Sequence, residues 1–100
     1  MRRTTIFFLS LLMLLPASVL ADDMFKGREI YQIKCAQCHG PRGEGMLNSM
    51  PNFSRGESIM KPQMELFRVI KNGKGIMPGF VGQLKDQQIH DVIVYIRSLY

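Results

Sequence analysis

The sequence predicts a small, single, all-α domain, and three observations lead there. The residues near the C-terminus place Ile89, Val92, Ile93, Ile96 and Leu99 at offsets of three, four, seven and ten, one apolar face at helical period. No strand is required anywhere between the helical stretches and the Gly- and Pro-rich loops. With 100 residues, 46% of them hydrophobic and 21% charged, the chain has length for one core and too few charges for disorder.

The elements follow in order. Residues 1–21 carry Arg2 and Arg3, an apolar run from Ile6 to Leu15, then Pro16 and a Val19-Leu20-Ala21 ending, which is the pattern of a secretory signal peptide. A ten-residue run is half of what a bilayer span takes, so no stable membrane insertion is expected once it is removed. Domain boundaries are therefore expected at 1–21 for the leader and 22–100 for the folded part. Removing the leader leaves 79 of the 100 residues, with 11 Lys and Arg against 8 Asp and Glu, a balance of +3 in place of +5. No basic run with interleaved aromatics remains, and no nucleic-acid partner is expected. Export places the chain in the periplasm, where it is expected to act as a monomer.

Asp22 and Asp23 can cap a first helix that runs from about Met24 into the cysteine-containing segment, with Gly27, Ile30, Tyr31 and Lys34 on one stripe. The stretch from Gly40 to Lys61 holds Gly40, Pro41, Gly43, Gly45, Pro51 and Gly56 and reads as a loop. Pro62 suits the first position of a helix through Lys71, with Leu66, Phe67 and Ile70 apolar and Asn72-Gly73 as its stop. The last helix is expected over about Lys85 to Leu99.

A 79-residue domain is near the size at which a bound group or cross-link supplements the core. Cys35-Ala36-Gln37-Cys38-His39 supplies one: C-x-x-C-H in an exported chain reads as covalent attachment of a c-type haem. Thiols three residues apart on a helical turn point to one side, where each can form a thioether with one vinyl group of the same porphyrin. His39, one residue on, can then turn its imidazole to the iron. Three other readings compete. A dithiol oxidoreductase wants a βαβ context that is missing here. A structural zinc site wants four ligands, and beyond Cys35, Cys38 and His39 only His90 is of the right type. A disulfide across two intervening residues closes a tiny loop and stabilises little.

Beyond that motif, Gly27, Tyr31, Val92 and Tyr95, then Pro51-Asn52-Phe53, then Asn72-Gly73-Lys74-Gly75-Ile76-Met77-Pro78-Gly79-Phe80 resemble the class I c-type cytochrome family, as a small bacterial periplasmic monohaem form. The resemblance covers essentially all of residues 22–100. It implies three to four helices wrapped around one covalent haem c, with the first and last helices crossing at Gly27 and an aromatic from each packed there. It also implies that the Pro51 carbonyl accepts a hydrogen bond from His39 Nδ1, fixing the tautomer, and that the Gly-x-Met-Pro loop delivers a second axial ligand.

Of the methionines at 24, 46, 50, 60, 64 and 77, only Met77 lies between Gly75 and Gly79, whose backbones can approach the ring, with Pro78 stiffening the turn. Met60 and Met64 read as core or haem-cleft packing, and His90, off the apolar stripe, as a solvated side chain. Ligation by His39 and Met77 fills both axial positions, leaves substrate nowhere to bind, and makes the chain a one-electron carrier and not an enzyme.

Lys71, Lys74, Lys85 and Arg42 could ring the haem edge and guide acidic redox partners in the periplasm. A terminal oxidase or a nitrite reductase is a possible acceptor, the latter implying a place in denitrification. Two other functions stand beside the carrier: an accessory haem protein that assists maturation of a larger haem enzyme, and a peroxidatic enzyme if Met77 does not ligate. The chain departs from mitochondrial members of the family in having no Trp, and it carries Lys85 where a Ser or Thr cap would be expected before the last helix.

Overall fold

The computed structural model describes residues 22–100; residues 1–21, where a leader is expected, lie outside the described residues. Four helices make the frame: α1 (Met24–Lys34), α2 (Ala36–His39), α3 (Gln63–Asn72) and α4 (Asp86–Arg97). The described residues contain no strand, only an isolated bridge between Lys74 and Met77. No helix among them is long and apolar enough to cross a membrane.

Asp23 caps α1, its carboxylate accepting the N–H groups of Phe25 and Lys26 at 2.9 and 3.0 Å. One stripe of α1 then packs on α4, and the contact is set by Gly27. A Cβ built on Gly27 would lie 2.0 Å from the Asp91 carbonyl oxygen and 2.5 Å from its carbon, so the two backbones meet where only hydrogen fits. One turn on, the ring of the fully buried Tyr31 sits 5.2 Å from that of Tyr95 at 59°. Lys34, at the end of the expected stripe, is exposed.

The Tyr31 hydroxyl donates to the Gly40 carbonyl at 2.6 Å, tying α1 to the residue that ends α2. Tyr31→Phe removes that donor while Gly40 keeps a bond from the Gly43 N–H at 3.2 Å. Thermal or denaturant unfolding should therefore record a loss of about 1 kcal/mol, the value of one net hydrogen bond, and not the larger penalty of an orphaned carbonyl.

The last helix is built as the periodicity requires, with Ile89, Val92, Ile93 and Ile96 buried, but it ends at Arg97, so the half-buried Leu99 lies just beyond it. Its missing Ser or Thr cap is replaced by Gln88, whose Oε1 accepts the Lys85 N–H at 2.8 Å. Pro62 stands at the N-cap of α3, one position before its expected place as first helical residue. Leu66, Phe67 and Ile70 turn inward from α3 and join Tyr31, Phe53, Ile59, Phe80 and the α4 residues in one core. The 40–61 segment is a loop with one short exception, a 3₁₀ turn over Phe53–Arg55 that Asn52 caps and Gly56 ends in the left-handed region.

Candidate haem-attachment site

The cysteine motif sits where α1 ends. Cys35 breaks the helical dihedrals (φ −120°, ψ −36°), yet the hydrogen bonds run on through it: its N–H donates to Tyr31 and the His39 N–H to the Cys35 carbonyl, both at 2.9 Å. The result is one more helical turn, α2, ended by Gly40 at φ +85°. Cys35 and Cys38 are both free, the first half-buried and the second exposed.

Burial, and then the neighbouring Cys38, push the Cys35 thiol up to about 11. A raised pKa makes Cys35 a poor thiolate nucleophile at neutral pH. No group of three or more His, Cys, Asp and Glu side chains among the described residues could hold a metal ion, and the structural-zinc reading has no fourth ligand.

His39 is half-buried and stacks on Phe53, ring centroids 5.0 Å apart at 19°. Burial lowers its pKa, which favours the neutral imidazole that ligates metals. Its Nδ1 is buried with no hydrogen-bond partner. The bond to the Pro51 carbonyl that the family resemblance implies is not among the hydrogen bonds of the described residues, and the half-buried Pro51 stays a proposed partner of His39. Free thiols three apart on one turn, with a neutral imidazole next to them, are the donor set that a c-type haem takes.

Met77 is carried by a loop folded back onto the end of α3. Gly73 stops that helix at φ +81°, and Lys74 and Met77 exchange both backbone hydrogen bonds at 3.0 and 3.1 Å. The Phe80 N–H then meets the Ile70 and Lys71 carbonyls at 3.1 and 3.0 Å, and Val81 meets Lys71 at 3.1 Å, satisfying carbonyls that the helix end leaves free. Gly79 serves this closure: a Cβ there would lie 2.7 Å from the Lys71 carbonyl oxygen, so its close approach is to α3. Gly75, at φ +56° with nothing within 4 Å, is needed for the turn itself.

Met77 is half-buried against the core, whereas Met46, Met60 and Met64 are 61%, 78% and 53% exposed. Neither Met60 nor Met64 packs in the protein core, which leaves haem-cleft packing as the reading for both. The solvated reading of His90 is overturned: the ring is half-buried, stacks on Phe67 at 4.9 Å and 22°, and has Nδ1 2.9 Å from Gln63 Nε2. That contact joins α3 to α4. Lys71 is engaged with Asp86 at 3.0 Å and lies over the Phe67 ring at 5.3 Å, while Lys74, Lys85 and Arg42 are exposed. Phe53 as the stacking partner of His39 and Tyr31 as the hydroxyl on Gly40 are the site-shaping contacts that local pattern does not reveal.

A short all-α frame closed by an α1–α4 crossing, with C-x-x-C-H on the turn that follows α1, defines a c-type cytochrome. Residues 22–96 match the family described as "Cytochrome C oxidase, cbb3-type, subunit III", and the chain belongs to that c-type cytochrome family. It is 31% identical to a cytochrome c6 of Nostoc sp. over 80 residues, 77% of this chain and 71% of that protein. Among solved structures it resembles cytochrome c6 of the diatom Phaeodactylum tricornutum, with a TM-score of 0.60 at 25% identity over 76% of this chain and 92% of that one. It also resembles cytochrome cL of Hyphomicrobium denitrificans, with a TM-score of 0.59 at 28% identity; the match takes in 78% of this chain and 48% of that longer one. As a class I c-type cytochrome the chain carries one covalently attached haem c and works in electron transfer.

Proposed function

We propose that the protein is an exported one-electron carrier of the periplasm whose haem is attached through Cys35 and Cys38 and ligated by His39 and Met77. The observation that carries this reading is the pinned loop of Met77: its sulfur-bearing side chain is half-buried against the core, on a turn locked to α3, while Met24, Met46, Met60 and Met64 lie exposed and Met50, also half-buried, directly precedes Pro51 in the 40–61 loop. Bound there, a c-type haem supplies reversible one-electron iron chemistry. Cys35 and Cys38 fix its place on the turn after α1. His39 offers a neutral nitrogen, oriented by Phe53. Met77 offers a thioether, a soft ligand that favours the reduced metal. Two protein ligands leave no position for substrate, which favours a carrier over an enzyme.

Residues 1–21 would direct export and be removed after Ala21, and periplasmic redox proteins would be the partners, with a terminal oxidase or a nitrite reductase among the possible acceptors. The test is potentiometry on the exported holoprotein together with a peroxidase assay. One reversible one-electron wave with no peroxide turnover is expected. Peroxide turnover by the unmodified protein would transfer the assignment to a peroxidatic enzyme.

A further inference from the structure

We propose that the outer face of the α1–α4 crossing is a reversible docking surface for anionic phospholipid. Met24, Phe25, Arg28, Tyr95 and Ser98 line a surface groove of about 190 Å³. Phe25 is 75% exposed and Met24 41% exposed, large apolar side chains turned to water on a helix whose other stripe is buried. Arg28 lies in the same groove, no acidic residue lines it, and Arg28 takes part in neither of the ion pairs among the described residues. An aromatic ring and a thioether beside an unpaired guanidinium suit the boundary between acyl chains and negatively charged headgroups. None of Cys35, Cys38, His39 and Met77 lines the groove, so occupying it leaves the haem-attachment residues uncovered.

The start of the described chain supplies the second argument. The Asp23 N–H donates to the buried Asp91 carboxylate at 2.7 Å, and Gln87 Nε2 donates to Asp91 at 3.0 Å and to Asp22 at 2.9 Å, so the backbone is fastened at residues 22 and 23. Met24 and Phe25 come next. The apolar run of the leader ends at Leu15, seven residues before Asp22, and seven residues of fully extended chain reach about 25 Å. While that run is in the bilayer, this face is held within about that distance of the headgroups. The four nearby carboxylates do not line the groove: Asp23 caps α1, Asp91 is buried, Asp22 is bonded to Gln87, and the exposed Glu29, next to Arg28, lines a separate groove with Ile30 and Ile33. This step rests on the export reading only for the tethering argument. An unprocessed N-terminus would overturn that reading, and the vesicle result below would still decide this one.

The experiment is co-sedimentation of holoprotein beginning at Asp22 with vesicles of phosphatidylcholine containing 30% phosphatidylglycerol, against vesicles of phosphatidylcholine alone. Binding to the anionic vesicles, weakened by salt, is expected. Phe25→Ser and Arg28→Glu should each lower the partition coefficient by about tenfold or more. Arg68→Glu, an equal change of net charge at an exposed site on α3, should lower it far less. Circular dichroism checks that each variant is folded. Absence of binding to anionic vesicles, an Arg68→Glu effect as large as that of Arg28→Glu, or a Phe25→Ser effect on self-association in place of vesicle binding would each overturn the proposal.

Discussion

Met77→Ala should leave haem attachment intact and lower the reduction potential by on the order of 0.1 V or more, within the range of about 0.8 V that axial ligands span. Attachment survives because Cys35, Cys38 and His39 belong to the turn that follows α1, far along the chain from the 74–80 loop. The potential falls because a thioether favours ferrous iron and alanine offers nothing in its place. The opened iron should bind carbon monoxide and cyanide and gain peroxidase activity. Some stability goes too, since Met77 is half-buried against the core, but less than the 2–5 kcal/mol typical of truncating a fully buried methionine. Optical spectra, potentiometry and the intact mass of the variant separate these effects. An unchanged potential would show that Met77 is not a ligand.

Gly27→Ala is expected to be the most damaging single substitution for the fold. Two effects oppose each other. Alanine in place of glycine favours the helix by about 1 kcal/mol. Against that, the new methyl group would sit 2.0 Å from the Asp91 carbonyl oxygen and 3.0 Å from the Val92 nitrogen. Both neighbours are α4 backbone, so no rotamer change relieves the clash and the two helices must separate. Separation loosens Tyr31, Val92 and Tyr95 together, and the loss should exceed the roughly 1–3 kcal/mol usual for overpacking. A domain of this size holds about 4–12 kcal/mol in all. Thermal unfolding should record a fall of more than about 10 °C. A near-normal melting temperature would mean that the crossing accommodates a side chain.

What the sequence made legible was local. The five residues from Cys35 to His39 state their chemistry by spacing alone, and the apolar stripe of α4 states its buried face by period alone. The crossing at Gly27 was legible only through family resemblance, because a glycine inside a helix does not say which backbone it meets. The remaining features depend on contacts between distant segments. His39 stacks on Phe53, fourteen residues on, with Nδ1 buried and without a hydrogen-bond partner. His90 lies off the apolar stripe of its own helix but finds Phe67 and Gln63 on α3. Gly79 marks a close approach, as its position in the loop suggested, but to the carbonyls that end α3.

The most direct test of the His39 and Met77 ligation is a carbon monoxide titration of the reduced, unmodified holoprotein at neutral pH. With both axial positions filled by protein ligands, the absorption spectrum should not change as carbon monoxide is added, while Met77→Ala should convert to a one-to-one complex under the same conditions. Ready formation of that complex by the unmodified protein would contradict a saturated iron and, with it, the assignment as an electron carrier ligated by Met77.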